Sequence, residues 1–292
     1  QFLMTRLLGD PKVILEELSD WLGPQAHKLH ETVSLIEVFT GKAPLSDRTE
    51  HQCQTSCIRI GLDHGQDLNK HDDRRKLLLL IAYCKPADVW ISFPCGCWGP
   101  WSRMNMHRSA ELCQDVLDAR RQARRHLSVV PEVWNLQQSL GGHVHVENPL
   151  TSDAWKELRL PHAYAVRIDQ CSLGLRCFRT NLPVLKPTRI VTSCQMMAER
   201  LVQCRCDHLH QHAHLEGSYK GKPLTSYAET YPRKMCRVIA EVIHRRVQSQ
   251  KPSLDIFSEF DDEMESADPA GPADVDRADE ESTVSKQRIQ AM

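Results

Sequence analysis

The run Asp88-Val-Trp-Ile-Ser-Phe93 decides the fold, because it is apolar, short enough for one buried strand, and ended by Pro94. Similar runs recur on both sides of it, with helix-like segments between them. These strand-like runs cover residues 33–39, 57–60, 143–147, 163–168 and 188–192, and the helical segments cover 73–83, 109–138 and 227–247. Strands that alternate with helices predict an α/β domain whose mostly parallel sheet carries helices on both faces.

The predicted domain is flanked by two short regions. Residues 1–30 form a helical lead-in, in which residues 11–22 have helical spacing and Gly23-Pro24 ends the helix. Residues 31–250 form the α/β body, with a Cys/His-rich insert at about 191–225. Residues 251–292 are rich in Asp, Glu, Pro, Ala and Ser, and this composition predicts a disordered acidic tail.

Charge and cysteine usage narrow the class of protein. The tail carries a net charge of −8, so the other 250 residues carry about +7, which is compatible with nucleic acid but does not demand it. No run of apolar residues is long enough to span a bilayer, so no membrane association is expected. The twelve cysteines come without a secretion signal, which favours reduced thiols in an intracellular protein; a nuclear location stays open.

Three predicted strands end in residues that can do chemistry: Phe39-Thr-Gly41, Pro94-Cys95 and Glu147-Asn148-Pro149. The carboxyl ends of parallel strands meet at one edge of a sheet, where ligands bind in open α/β folds. We therefore expect one site at this edge.

Each of these residues also has a structural interpretation. Gly41 lets backbone amides approach a cofactor, or simply ends a buried strand in a turn. Cys95 is a candidate nucleophile on an exposed turn, or Cys95 and Cys97 are structural thiols or half of a metal site. Glu147 is a candidate proton donor oriented by Asn148, or the start of a loop that leads into a helix.

The order of these motifs resembles that of cytosine-C5 DNA methyltransferases. The matching segments are Glu37-Val-Phe-Thr-Gly41, Gln66-Asp-Leu68, residues 88–99 with Pro94-Cys95, Glu147-Asn148, Lys186-Pro-Thr-Arg-Ile190 and Ala228-Glu-Thr-Tyr-Pro232. The resemblance covers residues 33–247, and its specific part is Pro-Cys followed by Glu-Asn. The segments are also similar to methylase-like regions of retroelement polyproteins.

The resemblance implies a Rossmann-like class I fold that uses S-adenosylmethionine as its methyl donor. Cys95 would attack C6 of cytosine, Glu147 would protonate N3, and Arg189 would help to hold the base. The base would have to be flipped out of a duplex. The residues expected to bind the cofactor are Glu37, Phe39, Gly41, Asp63, Asp67 and Pro94, with Phe39 near the adenine and the acidic loop residues as candidates for hydrogen bonds to the adenosine moiety.

Two departures from the family pattern matter: the first supports a rival interpretation, and the second argues against sequence-specific reading of DNA by this chain alone. Lys42-Ala-Pro-Leu45 stands where family members have further glycines, and only about thirty-five residues separate Ile190 from the last helix, where they insert a target-recognition domain. The rival is a catalytically inactive Rossmann module of a mobile-element polyprotein that serves nucleic-acid binding or interaction. If the chain is an enzyme, a protein partner would supply target recognition, with DNA favoured over RNA as the substrate.

A dense run of thiols and imidazoles, Cys204-Arg-Cys-Asp-His-Leu-His-Gln-His-Ala-His214, suggests a structural zinc site. One candidate ligand set is Cys194, Cys204, Cys206 and His210, and a solvated His-rich loop is the alternative. A zinc-organised binding protein is a third functional interpretation.

A basic stripe on the predicted helix 109–138 could contact phosphates. It consists of Arg120, Arg121, Arg124 and Arg125. A solvated helix face is the favoured alternative.

Overall fold

The computed structural model describes residues 10–42 and 44–249. The predicted acidic tail, residues 251–292, lies outside the described residues, as do residues 1–9 of the predicted lead-in.

Eight helices and eight strands are described. In chain order they are α1 Pro11–Leu22, β1 Val33–Val38, α2 Pro44–Cys53, β2 Ser56–Ile60, α3 His71–Cys84, β3 Asp88–Ile91, α4 Pro100–Met106, α5 Ala110–Ser139, β4 His143–Pro149, β5 Tyr164–Asp169, β6 Pro187–Thr192, α6 Gln195–Leu201, β7 Ser218–Tyr219, β8 Lys222–Pro223, α7 Leu224–Tyr227 and α8 Arg233–Ser249. Short 3₁₀ turns cover Gly23–His30, Leu62–His64, Gly96–Trp98 and Asp153–Lys156.

Local sequence signals set several helix ends. The Asp10 carboxylate accepts a 2.9 Å hydrogen bond from the Lys12 amide, so α1 begins with a capped first turn and ends at Gly23. Ser109 Oγ accepts a 3.1 Å bond from the Leu112 amide at the start of α5. The last predicted helix, 227–247, starts too early, because Pro232 disfavours helical backbone at the residue before it and α8 begins only at Arg233.

The main sheet has six strands in the order β2-β1-β3-β4-β6-β5. The pairs β1–β2, β1–β3 and β3–β4 are parallel, whereas β6 is antiparallel to both β4 and β5. The predicted α/β class with a mostly parallel sheet is therefore confirmed. The order reverses between β1 and β3, and such a reversal opens a crevice at the carboxyl ends of the two strands.

Helices cover both faces of this sheet. Ile36 of β1 packs in a core that includes Leu18 of α1, Leu80 of α3 and Trp134 of α5. The neighbouring Leu35 lies in a second core, which also contains Leu45 of α2, Met197 of α6 and Ile239 of α8. Alternate residues of a strand point to opposite faces, so the continuous apolar run of β1 fills both cores.

Within residues 10–42 and 44–249, no helix combines the length and the apolar composition needed to cross a bilayer.

Candidate functional site

A cavity of about 540 Å³ opens at the carboxyl ends of β1, β3 and β4. Most of the predicted site residues line it: Glu37, Phe39, Gly41, Asp63, Pro94, Cys95 and Glu147. The structure thus brings together the three strand ends that the sequence singles out, and it does so at the crevice where the strand order reverses.

The turn after β1 is held in a strained conformation. Phe39 has a φ of 63°, in the left-handed region that a bulky side chain rarely adopts. The Thr40 amide donates a 3.2 Å bond to the Ile60 carbonyl at the end of β2. A Cβ atom on Gly61 would lie only 2.5 Å from the Thr40 carbonyl oxygen, so glycine is needed for this close approach. Gly61 is a residue that the sequence analysis did not identify.

Gly41 and Asp63 meet at the edge of the cavity. A Cβ atom on Gly41 would lie 2.9 Å from Asp63 Oδ2, so the missing side chain makes room for this carboxylate. His64 Nε2 lies 3.2 Å from the Gly41 carbonyl oxygen and holds the same loop from the other side. A backbone turn and an acidic group are therefore presented together.

Glu37 lines the cavity and is hydrogen-bonded to a residue of α2. Its Oε2 accepts hydrogen bonds from the amide of Ser46 at 3.0 Å and from Ser46 Oγ at 2.6 Å. Burial raises the pKa of Glu37, and the two Ser46 bonds oppose this rise. Glu37 thus anchors the first turn of α2, which begins at Pro44 where the resemblance leads one to expect further glycines.

The loop that carries Cys95 is pinned on both sides. Before the cysteine, Asn148 Nδ2 donates a 2.8 Å bond to the Phe93 carbonyl. After it, Ser102 Oγ donates a 2.8 Å bond to the Gly96 carbonyl. Cys95 is exposed, whereas Cys97 is half-buried. Of these two thiols, only Cys95 lines the cavity.

Glu147 is a buried carboxyl group with a neutral partner. Tyr231 Oη donates a 2.9 Å bond to Glu147 Oε2, and Tyr231 Oη itself lies 2.6 Å from Ser92 Oγ and 3.1 Å from Trp90 Nε1. Glu147 Oε1 has no hydrogen-bond partner among the described residues. Burial raises the pKa of Glu147, and the charge of Lys186 and the Tyr231 bond only partly oppose this. The site thus stabilises the protonated form of Glu147 more than water does.

The same charges act on the thiol. Desolvation raises the pKa of Cys95, the negative charge of Glu147 raises it further, and Lys186 lowers it. Protonation of Glu147 would remove the charge that opposes the thiolate. Protonation of Glu147 would therefore favour ionisation of Cys95, although desolvation still raises the pKa of this thiol.

Residues 226–231 form a wall of the cavity that the sequence analysis did not assign to the site. Ser226, Glu229, Thr230 and Tyr231 line the cavity there. Lys186 Nζ donates a 2.8 Å bond to the Ala228 carbonyl and joins this wall to the start of β6. The only signal for it was the motif Ala228-Glu-Thr-Tyr-Pro232.

Two predicted site residues do not line the cavity. Asp67 accepts a 3.0 Å bond from the Asn69 amide and shapes a local turn. The Arg189 guanidinium carbon lies 5.4 Å from the centre of the Trp155 ring. Arg189 pairs with Asn148 across the sheet, while Ile190 pairs with Glu147. Since successive residues point to opposite faces, Arg189 and Glu147 lie on different faces of the sheet.

The basic stripe of α5 is largely engaged in ion pairs. Arg120 Nη2 lies 2.7 Å from Asp153 Oδ2, and Arg120 Nε donates a 3.0 Å bond to the Cys97 carbonyl. Arg124 makes two 2.9 Å bonds to the Glu157 carboxylate. These contacts fix the loop after β4 against α5, which supports a structural role over phosphate binding.

A Cys/His group that could hold a metal ion lies outside the cavity. Its members are Cys171, Cys206, His210 and His212. The predicted set shares Cys206 and His210 with it but differs in the other two positions. Cys194 is buried in the core beside α6, and Cys204 Sγ contacts the Arg200 carbonyl at 3.8 Å. Cys171 and His212 take their places. Local spacing cannot reveal Cys171, because it lies in the turn after β5, which packs against this segment.

No family model matches the chain, and no curated protein matches it significantly. The case for a function rests on the cavity residues and on the motifs to which they belong.

Proposed function

We propose that the protein transfers a methyl group from S-adenosylmethionine to C5 of cytosine in a nucleic acid, through a covalent bond between Cys95 and C6 of the base. The observation that supports this best is the pair of chemical groups in one cavity: an exposed thiol, and a buried carboxyl group whose Oε1 has no partner. A nucleophile beside a proton donor of raised pKa is what this reaction needs.

The cavity residues fit the cofactor. A volume of about 540 Å³ is sufficient for a nucleoside-sized molecule. The crevice at a reversal of strand order is where α/β sheets bind nucleotide-like cofactors. Phe39 offers an aromatic face to an adenine, and Asp63 beside Gly41 offers acceptors for ribose hydroxyls. When bound, the cofactor would supply the methyl group.

The protein's own residues would carry the rest of the reaction. The Cys95 thiolate would form a bond to C6 while the electron pair of the C5–C6 double bond moves into the ring and N3 takes the proton of Glu147. C5 thereby becomes nucleophilic and would take the methyl group, leaving S-adenosylhomocysteine. Water would then take the C5 proton as the bond between Cys95 and C6 breaks, and the N3 proton would return to Glu147, which restores the aromatic base, the thiolate and the carboxylic acid. Lys186 would favour the thiolate through its positive charge.

Substrate access and target choice follow from the chemistry. C6 of a cytosine stacked in a duplex cannot be reached, so the base must be flipped out or single-stranded. The chain between β6 and α8 is short and contains only α6, α7 and the hairpin β7–β8. We assign sequence-specific reading of DNA to a protein partner for this reason.

One observation favours a second candidate, an inactive Rossmann module of a mobile-element polyprotein that binds nucleic acid or a protein. Glu37 is engaged by Ser46, and α2 begins at Pro44 on the cavity wall. A wall built in this way leaves less free backbone for a cofactor than a glycine-rich turn would.

Calorimetric titration with S-adenosylmethionine and S-adenosylhomocysteine separates the two candidates. We expect binding by the wild type and loss of binding in Gly41→Trp, whose side chain would fill the cavity. Leu62→Trp is the matched control, because Leu62 is exposed and does not line the cavity. Absence of heat at millimolar ligand, in folded protein, would contradict the enzyme proposal and support the inactive module.

A further inference from the structure

The four side chains of the Cys/His group converge from two parts of the chain. Cys171 comes from the turn that follows β5, and Cys206, His210 and His212 come from the segment after α6. Their ligand atoms all lie within 4.8 Å of one another. Cys171 is buried and the other three are partly buried, so the group has a closed inner side and an open outer side.

The distances within the group match those of a tetrahedral site. Cys206 Sγ lies 3.6 Å from His210 Nε2 and 3.4 Å from His212 Nε2. In tetrahedral zinc with Zn–S of about 2.3 Å and Zn–N of about 2.05 Å, the sulfur and nitrogen ligands are roughly 3.6 Å apart. Two thiolates and two imidazoles in this arrangement select zinc among the common divalent metals.

The surrounding contacts are those that orient metal ligands. His210 Nε2 points to Cys206, and its other ring nitrogen, Nδ1, lies 3.4 Å from Asp207 Oδ1. A carboxylate behind a ligating histidine fixes the ring and its tautomer. The His208 amide donates a 3.2 Å bond to Cys206 Sγ. Asp169 Oδ2 accepts a 3.1 Å bond from the Cys206 amide and so holds this residue against the end of β5.

The segment itself has little else to order it. Residues 204–217 contain no helix or strand, and irregular stretches of this length are uncommon in a compact domain without an added constraint. The Ala213 amide donates a 2.8 Å bond to the Pro183 carbonyl, and Leu215 packs in a small core with Leu224 and Tyr227 of α7. This small core continues directly into the cavity wall at residues 226–231.

We propose that Cys171, Cys206, His210 and His212 hold one structural zinc ion, which clamps the segment 204–217 to the end of β5 and thereby supports the 226–231 wall of the cavity. All four positions are filled by protein, so the ion has no open position for a substrate. The assignment of the ion is independent of the methyl-transfer proposal.

Metal analysis of the purified full chain tests this assignment. We expect one zinc per chain in the wild type and its loss in Cys171→Ser/Cys206→Ser. Cys177→Ser and Cys204→Ser are matched controls and should keep zinc, because both thiols are buried but lie outside the group. Asp207→Asn should weaken zinc binding about tenfold or more, the scale for a lost contact behind a ligand, whereas the exposed Glu216→Gln should not.

Cobalt substitution gives a readout that does not depend on stability. The wild type should show the intense visible bands of tetrahedral cobalt and a thiolate charge-transfer band, and His210→Cys should keep the tetrahedral bands with a stronger charge-transfer band. Three results would overturn the proposal. A folded wild type could take up neither metal, or the double cysteine variant could retain zinc. The third is a disulfide between Cys171 and Cys206 in protein purified under reducing conditions.

Discussion

Two buried carboxyl groups on the same face of the sheet behave in opposite ways. Asp88 begins β3 and is 0% exposed, while Glu147 lies near the end of β4 and is 6% exposed. Asp88 Oδ1 lies 2.8 Å from His145 Nε2 and is also bonded by Arg246. Burial would raise the pKa of Asp88, but these partners more than offset it, and the pKa falls below its usual range. The pKa of Glu147 rises.

Both carboxyl groups are buried, so the charge of the hydrogen-bond partner decides whether the pKa falls or rises. Asp88 is held as an anion between two basic groups, which suits a structural ion pair. Glu147 contacts a neutral phenol, so burial is not offset by an ion pair and its pKa rises. At the amino end of β3, Asp88 thus belongs to a structural ion pair, whereas Glu147, near the carboxyl end of β4, lines the cavity with one carboxyl oxygen that has no partner among the described residues.

The same isosteric change at the two groups should have unequal effects on stability. Asp88→Asn leaves the Arg246 guanidinium buried without its counter-charge, and we expect a loss of about 3–5 kcal/mol in the free energy of unfolding. Glu147→Gln removes no ion pair and replaces a buried carboxyl group of raised pKa, so we expect no loss in the free energy of unfolding and a gain at neutral pH. Urea unfolding of the full chain at neutral pH measures both. Equal losses would break the comparison.

For the rate of covalent adduct formation, Glu147→Gln should have the larger effect and Asp88→Asn the smaller one. Oligonucleotides with 5-fluorocytosine trap a cysteine adduct, because fluorine at C5 blocks the elimination step. Glu147→Gln should slow adduct formation by about a hundredfold, or ~2.7 kcal/mol, the scale for a lost general acid. Asp88→Asn, assayed where it is folded, should change the rate by only a few-fold. Similar slowing in both variants would mean that Glu147 acts only through stability.

The pH dependence of stability should also separate the groups. The folded pKa of Asp88 is lowered, so its contribution is present above its unfolded value of about 3.9 and is lost as the pH falls through the folded pKa. The folded pKa of Glu147 is raised, so its contribution is present below about 4.3 and is lost as the pH rises through the folded pKa. The free energy of unfolding of Glu147→Gln should therefore rise relative to that of the wild type as the pH increases from about 4.3 to the folded pKa of Glu147. A difference that does not vary with pH would contradict the raised pKa.

The smallest expected effect is on the reactivity of Cys95. The rate of its alkylation by iodoacetamide should rise with pH along a titration that lies above the usual thiol range. Glu147→Gln removes the charge that Glu147 has when it is ionised and should lower the pKa of Cys95, whereas Lys186→Met removes a positive charge and should raise it. Peptide mass spectrometry follows Cys95 separately from Cys97. Shifts of the opposite sign would exclude direct electrostatic contact.

Much of the fold could be predicted because burial leaves a pattern in the sequence. The apolar spacing of α1 gives its observed bounds, Pro11–Leu22, and the continuous apolar runs give β1 and β3 within a few residues. The antiparallel direction of β6 could not be predicted, since its apolar run has no feature that depends on strand direction. Helix α2 was missed because Lys42-Ala-Pro-Leu45 looks like a broken turn, although Pro44 is a favourable first residue of a helix.

The sequence predicts only those site residues that lie at the carboxyl ends of the parallel strands. Cys95 and Glu147 meet because carboxyl ends of neighbouring parallel strands share an edge. Tyr231, which bonds to Glu147, comes from the far end of the chain, and Cys171 reaches Cys206 through the packing of a turn. Both contacts depend on tertiary structure that short-range spacing does not encode.

The proposal that Cys95 bonds covalently to C6 of cytosine is tested directly by identifying which cysteine is trapped. Single- and double-stranded DNA and RNA carrying 5-fluorocytosine are incubated with the full chain and S-adenosylmethionine, and adducts are mapped by mass spectrometry. The account predicts one adduct per chain on Cys95, abolished by Cys95→Ser and spared by Cys97→Ser. An adduct on Cys97 would contradict the assigned nucleophile. If the cofactor binds and no nucleic acid gives an adduct, methyl transfer to cytosine is wrong and the inactive module takes its place.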